Sequence, residues 1–171
     1  MAGTFIPTPK WIASKHAIVN VRCFDDVNCF QYSVLAGMNV IKSGYGAHKS
    51  RPSQYRPYMS MLNMDGIQTP VPLSSIDKFE KQNPDISVNI LYLDDRDIIS
   101  IRSSKSINQL NLLMLTNEDN FHYTSIQSLS RLVGGRTKHK SKGYVCRRCL
   151  HAFCKEDDLN EHLPASSRHQ P

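Results

Sequence analysis

The spacing of two cysteines and a histidine near the C-terminus limits the fold of this chain more than any other feature. Cys146 and Cys149 are separated by two residues, and His162 follows after Phe153 and Leu159. Two thiolates on a turn and an imidazole on the next helix can hold zinc tetrahedrally, while the two apolar side chains form a very small core. We therefore predict a zinc-binding unit over residues 144–171, in which zinc is structural.

The fourth ligand of this unit is less clearly encoded. His169 follows His162 after six residues, a longer gap than usual, and Pro164 is expected to break the helix between them. We still choose His169, because Cys154 and His151 would strain or displace the turn that carries the thiolates. Through its third ligand the pattern matches a C2H2 zinc finger, with an expected ββα arrangement.

The positive charge of the chain is concentrated ahead of this unit. Net charge is +6, and residues 131–148 contain seven Lys or Arg and no acid. Gly134 to Gly143 is predicted to be a basic linker between residues 1–133 and the finger. Such a stretch is expected either to bind a polyanionic partner through its phosphates or to serve as a solvated linker. The candidate nucleic-acid-binding residues are Arg136, Lys138, Lys140, Lys142, Arg147 and Arg148.

Composition narrows the classes of protein further. The chain has 171 residues, 40% of them hydrophobic, which is enough for one ordinary core and a small appendage. No apolar stretch is long enough to cross a membrane, so no membrane partner is expected. The cysteine count is five, an odd number, which favours metal binding and a thiol nucleophile over a disulfide framework. We expect an intracellular protein, nuclear or cytoplasmic.

Hydrophobic periodicity predicts an α+β domain over residues 1–133. Residues 16–22 alternate as a strand does, and a loop follows over residues 23–28. From Cys29 the apolar residues recur at helical spacing, with Asp26 or Asn28 as the expected cap. Residues 73–81 predict a second helix after a segment, 43–72, that has no clear pattern. Four strands are then expected at residues 86–93, 97–102, 110–116 and 121–127.

Cys29 is the candidate nucleophile. A thiol attacks a carbonyl well only as a thiolate, and the start of a helix favours a negative charge. The backbone N–H groups there can also stabilise an oxyanion. A histidine must then carry the proton, and His122 is the only one predicted within the sheet; His16 is a weaker candidate.

The residues around this pair resemble a known family. Asp26-Val27-Asn28-Cys29-Phe30 is similar to the D-G-N-C-[LF] motif of ovarian-tumour (OTU) cysteine peptidases, and His122-Tyr123 resembles their His-Tyr pair. The resemblance implies a papain-like fold, with the cysteine on an early helix and the histidine on a late strand of an antiparallel sheet. It also implies that Asp26 helps to shape the oxyanion hole.

The third catalytic residue is left open by the sequence. The family often has Asp or Asn two residues after the histidine, where this chain has Thr124. Thr124 cannot orient an imidazole as a carboxylate would. Asn108, Asn111 or Asp119 would have to substitute, or the site would be a Cys-His dyad.

A second resemblance covers residues 11–162. The segments CFQYSVLAG, SSIDKFEKQNPDISVNIL, HYTSIQSLSRLV and CRRCLHAF occur in an order similar to that of the domain beside protein-primed family B DNA polymerases of Polinton (Maverick) mobile elements. It implies a genetic setting rather than a reaction. Two functions are therefore expected: a cysteine peptidase, deubiquitinase-like or acting on a polyprotein, or a non-catalytic zinc-finger module that binds nucleic acid.

Overall fold

A mixed five-stranded sheet organises the computed structural model, which describes residues 5–44, 48–104, 106, 109–134 and 143–166. The strands are β1 (Ile18–Val19), β2 (Ser87–Asp94), β3 (Asp97–Arg102), β4 (Gln109–Thr116) and β5 (Phe121–Ile126), in the spatial order β1-β5-β4-β2-β3. Helices α1 (Lys10–Ala13) and α2 (Cys29–Gly37) precede most of the sheet, α3 (Ile76–Gln82) leads into β2, and α4 (Leu129–Val133) follows β5. The expected α+β class is confirmed.

The sheet is not purely antiparallel, and on this point the expectation was wrong. Three strand pairs are antiparallel: β1 with β5, β3 with β2, and β4 with β5. The fourth pair, β2 with β4, is parallel. The cause is the β2–β3 hairpin. Because β3 forms the edge of the sheet beside β2, the chain must cross to the opposite side of β2 before β4 begins. Alternation within a strand predicts the strand but not its neighbour.

Both faces of the sheet are covered. Leu112 belongs to one buried cluster and Leu113 to another, as neighbouring residues of a strand must when each face meets its own layer. Helix α2 packs on the first face through Phe30, whose ring lies 5.3 Å from that of Tyr123 on β5. On the second face Ile12 of α1 and Leu132 of α4 complete the other cluster.

An ion-pair network ties α3 to the hairpin. Arg102, at the end of β3, contacts Asp77 Oδ1 at 2.6 Å and Glu80 Oε2 at 2.9 Å. The same guanidinium donates to the Val88 carbonyl, and Glu80 Oε1 accepts the Val88 N–H at 2.7 Å. A single arginine on β3 therefore satisfies groups on one helix, α3, and one strand, β2.

Most predicted elements are found, with shifted ends. The strand at 97–102 is confirmed to the residue, and those predicted at 86–93, 110–116 and 121–127 begin or end one residue away. The predicted strand at 16–22 forms ladder pairs only at Ile18 and Val19. The segment 43–72, which has no clear pattern in the sequence, contains 3-10 turns at Pro52–Gln54 and Arg56–Met61. Another 3-10 turn, at Leu73–Ser75, begins the second predicted helix.

Candidate active site and metal-binding clusters

Three buried side chains meet between β5, α2 and the loop that joins β1 to α2. The sulfur atoms of Cys23 and Cys29 and a ring nitrogen of His122 all lie within 4.8 Å of one another. These residues are 1%, 0% and 0% exposed. The fold thus brings together the predicted pair, Cys29 and His122, and adds a second thiol for which the sequence predicted no role.

The Cys23 thiol contacts the imidazole at its Nδ1 atom. Its Sγ lies 3.6 Å from Nδ1 of His122. The Nδ1 side of the ring therefore faces this thiol, and Nε2 points toward Asn20.

Asn20 fixes the proton on this ring. Its Oδ1 lies 2.6 Å from His122 Nε2, while its Nδ2 donates to the Ile6 carbonyl at 2.9 Å and to Thr8 Oγ1 at 2.9 Å. A carbonyl only accepts, so the amide NH2 must face Ile6 and the amide oxygen must face the ring. His122 therefore donates from Nε2, which leaves the Nδ1 lone pair directed at the Cys23 thiol.

Asn20 is the orienting residue that the sequence did not identify. In the sequence, the signal for Asn20 is that it is a polar residue next to the first strand. In the fold it lies one step beyond the Val19–Ser125 pair, opposite Thr124. Antiparallel pairing makes it a diagonal neighbour of His122 on the same side of the sheet. No pattern within the segment around His122 could have predicted this contact, because it joins residues 102 positions apart.

The residues expected to supply the third catalytic group lie elsewhere. Thr124 is buried and donates to the Leu113 carbonyl at 3.3 Å. Asn111 accepts from Asn89 at 2.9 Å, and Asp119 is exposed in the turn before β5. Asn108 lies outside the described residues. The weaker histidine candidate, His16, is exposed in the turn before β1.

Cys29 occupies the first position of α2, as predicted. Asn28 is the N-cap residue, without a side-chain capping bond, and its carbonyl accepts from the Tyr32 N–H at 3.0 Å at the start of the nine-residue helix. The backbone N–H groups of the first helical turn come before Tyr32 in the chain. N–H groups at this position of a helix can stabilise an anion. Cys23, by contrast, lies in the irregular loop before the helix.

Asp26 braces the turn that leads into Cys29. Its Oδ1 accepts from the Asn28 N–H at 3.1 Å, and its Oδ2 accepts from the Tyr32 hydroxyl at 2.7 Å with Arg56 4.0 Å away. Burial and the hydrogen bond to this carboxylate raise the pKa of Tyr32, so the hydroxyl keeps its proton and continues to donate. Asp26 therefore sets the geometry of the backbone before Cys29.

Residues 5–8 cover the side of the cluster formed by His122 and its partner Asn20. The Phe5 ring lies 5.5 Å from the His122 ring, edge-on, and 4.6 Å from that of Phe24. The hydrogen bonds that the Asn20 amide donates to Ile6 and Thr8 hold this segment in place. Phe24 is 58% exposed despite its size, so an aromatic surface marks the solvent side of the buried site.

A second Cys/His cluster forms the C-terminal unit. Strands β6 (Tyr144–Val145) and β7 (Ala152–Phe153) pair antiparallel and are followed by α5 (Glu156–Ser166). The ligand atoms of Cys146, Cys149 and His162 lie within 4.8 Å of one another, and this set of residues could hold a metal ion.

Local geometry shapes this cluster. The Cys146 N–H donates to the His151 carbonyl at 2.9 Å, and Leu150, with φ of 60°, closes the turn by donating to the Cys146 carbonyl at 2.8 Å. Cys149 Sγ lies 3.2 Å from Nε2 of His162. The chosen fourth ligand, His169, lies outside the described residues. The expectation that Pro164 ends the helix was wrong, since α5 continues to Ser166.

The structure describes only part of the basic stretch of residues 131–148. Arg136, Lys138, Lys140 and Lys142 lie outside the described residues. Arg147 donates to Gln109 Oε1 at 3.4 Å, and Arg147 and Arg148 both line a cavity of about 420 Å³ with Ser103 and Leu159. The two arginines therefore adjoin the sheet domain.

The described part of the chain is thus an α+β domain with a buried Cys-Cys-His cluster and a small unit with a second cluster. No protein-family model, curated protein or solved structure matches the chain. None of the helices within the described ranges has both the length and the apolar character to cross a bilayer.

Proposed function

We propose that this protein is a cysteine peptidase of papain-like, OTU-like type, with Cys29 as the nucleophile, His122 as the general base and Asn20 as the orienting residue. The observation that carries the proposal is the arrangement around His122: Asn20 holds Nε2, Nδ1 faces the Cys23 thiol, and the Cys29 thiol lies in the same cluster. A nucleophile, a base and a third group that orients the base are the parts that thiol acyl transfer requires.

Cys29 is preferred over Cys23 as the nucleophile, although Cys23 Sγ lies 3.6 Å from the ring nitrogen Nδ1. Only Cys29 lies at a helix N-terminus, where the helix dipole and the first-turn N–H groups favour the thiolate and then the oxyanion. The OTU-like sequence motifs around Cys29 and His122 support the same assignment.

The reaction follows from these positions. His122 Nδ1 takes the proton of the Cys29 thiol, and the thiolate attacks the carbonyl carbon of a peptide or isopeptide bond. The tetrahedral intermediate collapses as His122 returns the proton to the leaving amine, which forms a thioester. Water then attacks the thioester, His122 takes its proton, and the acid is released as the thiol re-forms. Asn20 retains the Nε2–H bond throughout, and Asp26 holds the turn that precedes the nucleophile.

The closed cluster requires one movement before catalysis. Because Cys29 and His122 are fully buried, the residues that cover them must move aside for a substrate carbonyl to reach the thiol, and Phe5, whose ring packs against that of His122, is one of these residues. The proposed substrates are ubiquitin-like conjugates or a polyprotein.

Covalent labelling tests the proposal. Electrophilic probes built on the C-termini of ubiquitin and ubiquitin-like proteins are expected to modify the intact chain, and Cys29→Ala and His122→Ala are expected to abolish the modification. Cys23→Ala is the matched control, since it removes the neighbouring buried thiol, and it should retain labelling. Labelling that depends on Cys23 and survives Cys29→Ala would overturn the assignment of the nucleophile. Peptide mapping identifies the modified residue in each case.

We propose zinc as the ion of the C-terminal unit, because two thiolates and one imidazole on a ββα unit are its preferred ligands. The role is structural: the ion would join β6 to α5. Nucleic-acid binding by this unit and its basic linker stays a prediction, as does the Polinton-like genetic setting.

A further inference from the structure

We propose that Cys23, Cys29 and His122 form a second, interior zinc site, and that an ion bound there blocks the peptidase. The metal binding stands on the geometry of the cluster alone, whereas the blocking rests on the function proposed above. The site would be separate from the C-terminal unit, which has its own three ligands.

The distances fit a tetrahedral ion. Zinc binds thiolate sulfur at about 2.3 Å and imidazole nitrogen at about 2.0 Å, so neighbouring ligand atoms of a tetrahedral site lie about 3.5 Å apart. The Cys23 Sγ to His122 Nδ1 distance is 3.6 Å, and all three ligand atoms lie within 4.8 Å of one another. Shifts of a few tenths of an ångström to about one ångström would complete the three-ligand set.

The imidazole is already oriented as a metal ligand. Histidines that bind metals usually donate their other ring N–H to a carbonyl or carboxylate, which fixes the coordinating nitrogen. Asn20 Oδ1 accepts from His122 Nε2 at 2.6 Å and so leaves Nδ1 available to an ion. Two further acceptors, on Ile6 and Thr8, hold the Asn20 amide in that orientation.

Charge favours zinc at this depth. Two thiolates, one neutral imidazole and a divalent cation sum to zero, which suits a site whose residues are at most 1% exposed. The same thiolates without a cation would be an uncompensated charge in the interior. Sulfur and imidazole ligands select zinc over magnesium or calcium, which prefer oxygen. Binding releases the two thiol protons to solvent.

An ion at this position would remove both reactive lone pairs. The Cys29 sulfur would donate to the metal rather than attack a carbonyl, and His122 Nδ1 would no longer accept a proton. Bound zinc would therefore keep the enzyme inactive while preserving its fold, and a chelator would restore activity.

The stoichiometry of zinc binding tests the site. The full chain, freed of metal and kept reduced, is dialysed against zinc and analysed for bound metal. We expect two ions in the unaltered chain, one in Cys23→Ser, one in Cys149→Ser and none in the double variant. Cys154→Ser, which removes an exposed thiol outside both clusters, should retain two. Cobalt substituted for zinc should show tetrahedral thiolate spectra in each single variant, because each retains one complete cluster.

A single ion in the unaltered chain, lost entirely in Cys149→Ser, would overturn the interior site. Circular dichroism of Cys23→Ser and Cys23→Ala shows whether each variant is folded; one folded variant with two ions would equally overturn it. These results do not depend on peptidase activity, so the site and the proposed function fail separately.

Inhibition provides the second measurement. Zinc should suppress probe labelling in both the unaltered chain and Cys149→Ser, and chelation should reverse it. Cys23→Ser should need about 100-fold more zinc for the same suppression, since loss of a ligand weakens binding at least as much as loss of an outer partner. Equal sensitivity of Cys23→Ser and the unaltered chain would contradict blocking through this cluster.

Discussion

Asn20 accepts a hydrogen bond from Nε2 of His122 across 2.6 Å, and this contact determines which ring nitrogen faces the Cys23 thiol. The amide cannot turn over without placing its NH2 group against the ring and losing its donation to the Ile6 carbonyl. A single asparagine thus links three things: the tautomer of the proposed base, the ladder end at β1 and the segment that covers the site.

Asn20→Ala should slow probe labelling by about 10- to 100-fold, the loss typical of an outer partner that orients a functional histidine. Asn20→Asp should recover part of the rate, because a carboxylate also accepts the Nε2–H. A carboxylate additionally stabilises the imidazolium, so the pH profile of labelling should shift for this variant. Second-order rate constants measured across pH check both effects.

A structural role alone gives a different pattern. If Asn20 only held residues 5–8, Asn20→Asp would behave like Asn20→Ala, because neither can donate to the Ile6 carbonyl, and neither would change the pH profile. Equal rates for all three proteins would remove Asn20 from the proposed machinery.

The sequence predicts local structure well where a single element carries the pattern. The start of α2 at Cys29 and the strand bearing His122 follow from periodicity, because each depends on residues that are neighbours in the chain. The contacts of Cys23 and Asn20 with His122 depend instead on how β1 pairs with β5 and how the following loop folds back. Periodicity contains no information on either, so the sequence leaves the orienting residue open between Asn108, Asn111, Asp119 and a dyad, and predicts no role for Cys23.

Phe5→Ala should increase the rate of labelling at Cys29. The Phe5 ring contacts both His122 and Phe24, and its loss removes apolar packing that holds the cover over a fully buried thiol. Truncation of a partly buried phenylalanine weakens such a contact by about 1–3 kcal/mol, which corresponds to about 5-fold or more in the population of the open state. Labelling with a small electrophile, iodoacetamide, measures access to the thiol independently of substrate recognition.

Phe5→Leu is the matched control, because it keeps an apolar cover without the aromatic edge contact. Its rate should lie between those of Phe5→Ala and the unaltered chain. A decrease in Phe5→Ala for the protein probe alone, with iodoacetamide unchanged, would instead identify Phe5 as part of the substrate surface.

Removal of metal from the C-terminal unit should unfold that unit and leave the sheet domain intact. Its short strands and half-buried Phe153 offer little core of their own, so the ion would supply most of the folding free energy. In Cys149→Ser, hydrogen exchange should show lost protection in α5 and retained protection in β4 and β5. Equal protection of α5 with and without the thiol would show that the unit folds without metal.

Arg102→Ala should destabilise the sheet domain by about 2–4 kcal/mol, the range for breaking a partly buried charged network. Arg102 is 17% exposed and Glu80 20%, so the substitution leaves the Glu80 carboxylate and the Val88 carbonyl short of a donor in a sheltered place. Urea denaturation at neutral pH measures the change.

Asp77→Asn is the matched control, because Asp77 is 78% exposed and its share of the same network is screened by water. It should change the free energy of unfolding by less than about 1 kcal/mol. The hydrogen bond from Arg102 and its charge lower the pKa of Asp77, so this small stabilisation is present above the ordinary value of 3.8 and is lost as the pH falls through the depressed one. A loss in Asp77→Asn as large as that in Arg102→Ala would place the energy in the exposed pair, and would contradict the argument from the buried groups on α3 and β2.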